Sequence, residues 1–147
     1  MKALNEALLE RKVDTQYATL CLALWDAPKR TFTICNAGAL PPLLCRNGEI
    51  IDIRAEGVPI GLLDDRDYDQ VPVRVERGDL VLFYSDGIED QLSEHREYGR
   101  ARLQKLICKN CQKTPAEIVR AVFADMDEFR GATPVTDDQT VIALRVL

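Results

Sequence analysis

The chain has 147 residues, 46% apolar and 29% charged, with a formal net charge of −5. That suits one domain spanning residues 1–147, which at this size buries roughly 68–70% of the surface its unfolded chain exposes. The negative balance disfavours nucleic acid and anionic membranes, which are polyanions, and no apolar run reaches the roughly 20 residues of a membrane helix.

The opening "MKALNEALLERK" places Leu4, Ala7 and Leu8 at helical spacing, which predicts a short amphipathic helix over residues 2–12. Glu6 and Glu10 interrupt any apolar leader, so no signal peptide is expected. "ATLCLALWD" reads as a strand, "APKR" turns the chain, and "TFTICNA" returns as a second strand. In "NAGALPPLL", Pro41 and Pro42 lack amide donors and belong at an edge or a bend. "LLCRNGEIIDI" is a hairpin, because Asn47-Gly48 between apolar runs suits a turn with two positive φ angles.

"GVPIGLL" is a loop marked by glycine and proline. Val71, Val73 and Val75 alternate with polar neighbours, predicting a half-exposed strand. "ERGD" is then a hairpin turn, and Leu80 to Tyr84, which does not alternate, is a strand buried on both faces. Helices follow. "YGRARLQKLICKN" puts Leu103, Leu106 and Ile107 on one face. "TPAEIVRAVFADMDEFRG" carries a capping box at Thr114 and Glu117, Pro115 in the first turn, and a C-cap at Gly131. Its stripe of Ile118, Val119, Val122, Phe123, Met126 and Phe129 is the face that packs on a sheet. "QTVIALRVL" is the last strand. The order is helix, about six strands, two helices and a strand: an α+β fold of mostly antiparallel sheets with helices on their faces.

The five cysteines are an odd number, and Cys21, Cys35 and Cys45 sit in apolar, strand-like surroundings. They read as buried thiols of a reduced, cytoplasmic protein. Cys108 and Cys111 form a C-x-x-C without a second ligand pair, so the expected reading is one thiol facing the core near a helix end and one not.

The chemistry lies in the carboxylates. Asp86 follows the most buried strand, and Asp137 and Asp138 precede the last one. If those two strands pair antiparallel, the acidic ends meet at one sheet edge. Clustered carboxylates repel unless they stay hydrated or share a cation, and an all-oxygen set suits Mg²⁺ or Mn²⁺. The plain alternatives are an Asp-Gly turn and a solvated strand start.

"YSDGIED" and "TDDQTVIALRV" resemble the last two acidic motifs of the metal-dependent PPM serine/threonine protein phosphatases, and the sporulation stage II protein E (SpoIIE) type in particular. "NAGALPPLL", "GVPIGLL", "ERGDLVLFYSDGIED", "YGRARL" and "DDQTVIALRV" match that type in order across nearly the whole chain. The resemblance implies an α-β-β-α sandwich of antiparallel sheets flanked by helices, with two metal ions about 3.5–4 Å apart that deprotonate an attacking water. It implies Mn²⁺ or Mg²⁺ as cofactor, Asp86 and Asp137 as ligands, and Asp138 binding directly or through water. Gly87 lets the backbone turn close to the ion. The implied substrate is a phosphoserine or phosphothreonine of a bacterial regulator, such as one of the anti-anti-sigma kind.

Two departures stand out. The type's Gly-Asp motif, whose aspartate bridges both metals, has no counterpart here, and Gly78-Asp79 fits a turn instead. Ala39 stands where the type commonly has histidine. The expectation is therefore the C-terminal two-thirds or more of the domain without its opening strands, with unpaired sheet edges that favour homodimers. The alternative to a phosphatase is a non-catalytic binding or regulatory module that keeps the fold.

Overall fold

The computed structural model describes residues 1–11 and 16–147. Contacts divide the chain into two compact units, residues 1–41 with 53–75, and residues 42–52 with 76–147.

The first unit opens with α1, Lys2–Glu10. The helix ends before the predicted residue 12, which lies outside the described residues. Leu4 and Ala7 are exposed, and the buried position is Asn5, at 1% exposure. Polar contacts turn this face of the helix inward. Asn5 Nδ2 donates to the Leu63 carbonyl (3.0 Å), and its Oδ1 accepts from the Gly61 amide (2.7 Å), so one amide side chain satisfies the loop "GVPIGLL". β1 (Leu20–Asp26), β2 (Thr31–Ala37) and β5 (Val71–Arg74) form an antiparallel sheet in the order β1-β2-β5. β1 is an edge strand, and Leu22, Leu24 and Trp25 remain exposed on it despite the apolar sequence. β5 alternates between half-buried and exposed, as its valines predict.

The second unit holds β3 (Leu43–Arg46), β4 (Glu49–Ile51), β6 (Leu80–Tyr84) and β9 (Val141–Arg145), in the sheet order β4-β3-β6-β9. The β3–β4 hairpin turns at Asn47 (φ 51°) and Gly48 (φ 84°), the two positive angles its sequence calls for. β6 is central, and Leu80 and Leu82 are fully buried in it. "ERGD" is a turn, but it does not close a hairpin. β5 pairs with β2, whereas β6 pairs with β3 and β9, so the chain changes sheet there. Buried Asp79 holds this corner, accepting from Arg46 Nη2 (2.7 Å) and from the Glu76 amide (2.8 Å).

After β6 come three short elements that periodicity does not reveal: α2 (Asp86–Glu89), β7 (Leu92–Ser93) and β8 (Arg96–Glu97). α3 (Arg100–Asn110) starts two residues later than "YGRARL" suggests, after Gly99 at φ 73°. α4 (Pro115–Arg130) has the predicted capping box, with the Thr114 amide donating to Glu117 Oε2 (2.9 Å). Ile118, Val122 and Met126 are buried along one stripe of α4, which packs against β9. Burying each side chain contributes about 1.5–3 kcal/mol. Among the described residues no helix is long and apolar enough to cross a membrane.

Candidate metal centre

β6 and β9 run antiparallel, with Tyr84 opposite Val141 and Leu80 opposite Arg145. Asp86, two residues past β6, and the Asp137-Asp138 pair, shortly before β9, therefore fall at one edge of this sheet. The strands leave as a stitched pair. The Ser85 amide donates to the Thr140 carbonyl (3.1 Å), the Thr140 amide to Ser85 Oγ (2.9 Å), and Ser85 Oγ to the Asp138 carbonyl (2.8 Å). One hydroxyl thus acts as acceptor and donor across the two arms.

Gly87 begins the close approach. A Cβ there would lie 2.5 Å from the Asp138 carbonyl oxygen and 3.3 Å from the Asp137 carbonyl carbon. Real Cβ atoms do not come so near backbone, so only glycine lets α2 sit against the acidic pair. Gln139 Nε2 reinforces the approach by donating to the Gly87 carbonyl (3.3 Å) and to Gln91 Oε1 (2.9 Å). Gln91 is fully buried, and its own amide donates to the Leu92 (2.9 Å) and Pro134 (3.0 Å) carbonyls. Ser85, Gln91 and Gln139 were not singled out by sequence reasoning. Ser85 and Gln139 adjoin the predicted carboxylates, whereas Gln91 has no local signal.

All three predicted aspartates are exposed. Asp86 Oδ1 accepts from the Gly87 amide (3.0 Å), and Asp137 Oδ1 accepts from the Asp138 amide (2.7 Å). Each carboxylate keeps its second oxygen for another partner. Glu89, the next acid along, is already engaged: it accepts from the Tyr84 hydroxyl (2.5 Å) and faces Arg100 (3.6 Å). Burial first, then this bond to Glu89, pushes the Tyr84 hydroxyl well above the usual phenol range.

The donors fit a hard divalent cation in kind, being carboxylate oxygens held at the water-facing end of two strands. Among the described residues no three His, Cys, Asp or Glu side chains are arranged to hold an ion.

The family model for stage II sporulation protein E (SpoIIE) matches residues 1–147, the whole chain. The chain belongs to the SpoIIE family. It is 29% identical over 148 residues to the phosphoserine phosphatase RsbU of Bacillus subtilis (strain 168), covering 99% of this chain and 44% of that protein. It is also similar to the solved PP2C phosphatase domain, with a fragment of the regulatory domain, of the cell fate determinant SpoIIE from Bacillus subtilis. That match has a TM-score of 0.81 and 26% identity, over 97% of this chain and 42% of the other. The SiaA PP2C domain of Pseudomonas aeruginosa shares the fold at a TM-score of 0.81 and 20% identity, over 96% of this chain and 57% of the other. The SpoIIE-family chain thus has the α+β fold of PP2C phosphatase domains and spans less than half the length of its RsbU relative.

Proposed function

We propose that this SpoIIE-family chain contributes to a metal-dependent phosphatase that removes phosphate from phosphoserine or phosphothreonine of a bacterial regulatory protein, such as an anti-anti-sigma-type regulator. In this reading Asp86 and Asp137 hold Mn²⁺ or Mg²⁺, Asp138 binds directly or through water, and Gly87 lets the two arms meet. The observation that carries it is the stitching of Ser85–Gly87 to Asp137–Thr140, which places both acidic segments at one sheet edge. Bound there, the cation supplies positive charge that activates a water and offsets the charge of the phosphate. The chain's own part is to orient carboxylates: Ser85 and Gln139 tie the arms together, and Gln91 anchors Gln139.

The test is Mn²⁺-dependent hydrolysis of a phosphoserine peptide together with Mn²⁺ calorimetry, with and without Asp86→Ala. Loss of both binding and hydrolysis in the variant supports the assignment. Hydrolysis that survives Asp86→Ala rules out the role given to this residue.

A second reading is a non-catalytic binding or regulatory module. It is favoured by the lack of a three-ligand cluster among the described residues. Calorimetry separates the two, because a module of this kind binds no Mn²⁺ tightly. Self-association through β1 and β9 is part of the proposal, since each is an edge strand with exposed apolar residues. The five free thiols suit the reducing cytoplasm.

A further inference from the structure

Three of the five cysteines come together in the unit of residues 42–52 and 76–147. Cys45, on β3, is 2% exposed. Cys108 lies in the last turn of α3 and Cys111 caps it. α3 packs on both strands of the β3–β4 hairpin. A Cβ at Gly48, in the hairpin turn, would lie 3.8 Å from Cys111 Sγ and 3.8 Å from the Cys108 carbonyl oxygen. Cys45 and Cys111 line one open pocket of about 370 Å³, beside Asn47, Arg77 and Arg145. The Cys108 and Cys111 sulfurs both lie near the Cys45 thiol. Burial, followed by the neighbouring sulfurs, pushes this thiol up to about 12.

We propose that this cluster is a reversible thiol-oxidation site, in which a peroxide joins Cys45 to the C-terminal end of α3 through a disulfide. Cys111 is half-buried and faces the pocket, so it is the thiol that hydrogen peroxide reaches. Its sulfur attacks one peroxide oxygen, the O–O bond breaks, one water leaves, and a sulfenic acid remains. The Cys45 sulfur then attacks the sulfenic sulfur. The S–O bond breaks, the hydroxyl leaves with the Cys45 proton as a second water, and the S–S bond forms. Two thiols are oxidised by two electrons and one peroxide is reduced to two waters. Cys108, beside Cys45, can exchange with Cys111 in the bridge. Burial keeps Cys45 a thiol near neutral pH, so its nucleophilic thiolate forms only as the proton passes to the leaving hydroxyl, which makes bridge formation the slow step. The C-x-x-C alone did not reveal this site, because its third thiol lies far away in sequence. Metal capture by the trio is not the reading, since these thiols are not arranged around one ion.

The test treats the reduced 147-residue chain with a modest excess of hydrogen peroxide, blocks remaining thiols with N-ethylmaleimide in denaturant, and maps bridges by tryptic mass spectrometry. Lys109 separates Cys108 from Cys111 on digestion, and fragmentation of peptide 31–46 separates Cys35 from Cys45. The expected result is loss of two of the five free thiols, an intramolecular bridge from Cys45 to Cys111 or Cys108, and recovery on adding dithiothreitol. A Cys108–Cys111 bridge, a bridge through Cys21 or Cys35, only intermolecular bridges, or oxidation without a bridge overturns the proposal. The mapping uses the unaltered chain, so the folding of a variant does not enter.

Discussion

Gly87 and Asp138 approach so closely that a Cβ on residue 87 would stand 2.5 Å from the Asp138 carbonyl oxygen. The obstacle is backbone just before β9, tied to Ser85 through its carbonyl, so it cannot swing aside as a flexible side chain would. Gly87→Ala is expected to destabilise the chain by about 1–3 kcal/mol, the usual cost of overpacking. Urea denaturation measures it. An unchanged midpoint would show that the two arms separate freely.

Ser85 carries both directions of the stitch, accepting from Thr140 and donating to Asp138. Ser85→Ala removes the hydroxyl and leaves the Thr140 amide without that partner. The expected loss is about 0.5–1.5 kcal/mol, because these bonds are exposed and water can replace the hydroxyl, and Mn²⁺ affinity should fall roughly 10–100-fold because the arms lose their spacing. Gln139→Ala should act in the same direction. Calorimetry on both variants checks this, and unaltered affinity in both would count against a positioning role.

Asp125 on α4 joins Arg102 on α3 by a bidentate pair, at 2.7 and 3.0 Å, and also accepts from the Tyr98 hydroxyl at 2.7 Å. The Arg102 bond, followed by the weaker opposing effect of burial and then the Tyr98 bond, leaves the Asp125 carboxyl below its ordinary value of 3.8. A depressed carboxylate stabilises the fold above its unfolded pKa and loses that contribution as pH falls through the folded one. The stability gap between the chain and Asp125→Asn should thus hold at pH 5 to 7 and shrink below about pH 4. Denaturation curves across that range test it, and a gap that widens on acidification would contradict the assignment.

Leu24 is 72% exposed on edge strand β1. Sedimentation should show association that rises with concentration, and Leu24→Lys should weaken it by placing a charge on the edge. Association unaffected by Leu24→Lys would move the interface away from β1.

The elements with strong local signals were legible in the sequence. Asn47-Gly48, the capping box at Thr114 and the unbroken run Leu80 to Tyr84 each encode their structure within a few residues. That the segments carrying Asp86 and Asp137-Asp138 leave the sheet at one edge was legible too, because it needed only the antiparallel pairing of two recognisable strands. What stayed hidden depends on distant partners. Asn5 is buried because of Gly61 and Leu63, and Gln91 because of Pro134 and Gln139. The change of sheet after β5 was missed because "ERGD" reads locally as a hairpin turn, and which strands pair is decided elsewhere. α2, β7 and β8 are too short to show a period.

Titration of the 147-residue chain with Mn²⁺ by calorimetry, beside Asp86→Ala and Asp137→Ala, decides whether these two strand ends hold a cation. Saturable binding is expected, weakened at least 10-fold by each substitution, as for removal of a carboxylate ligand rather than a supporting group. Binding of equal strength in all three proteins, or none in the unaltered chain, would contradict a metal site built on these two strand ends.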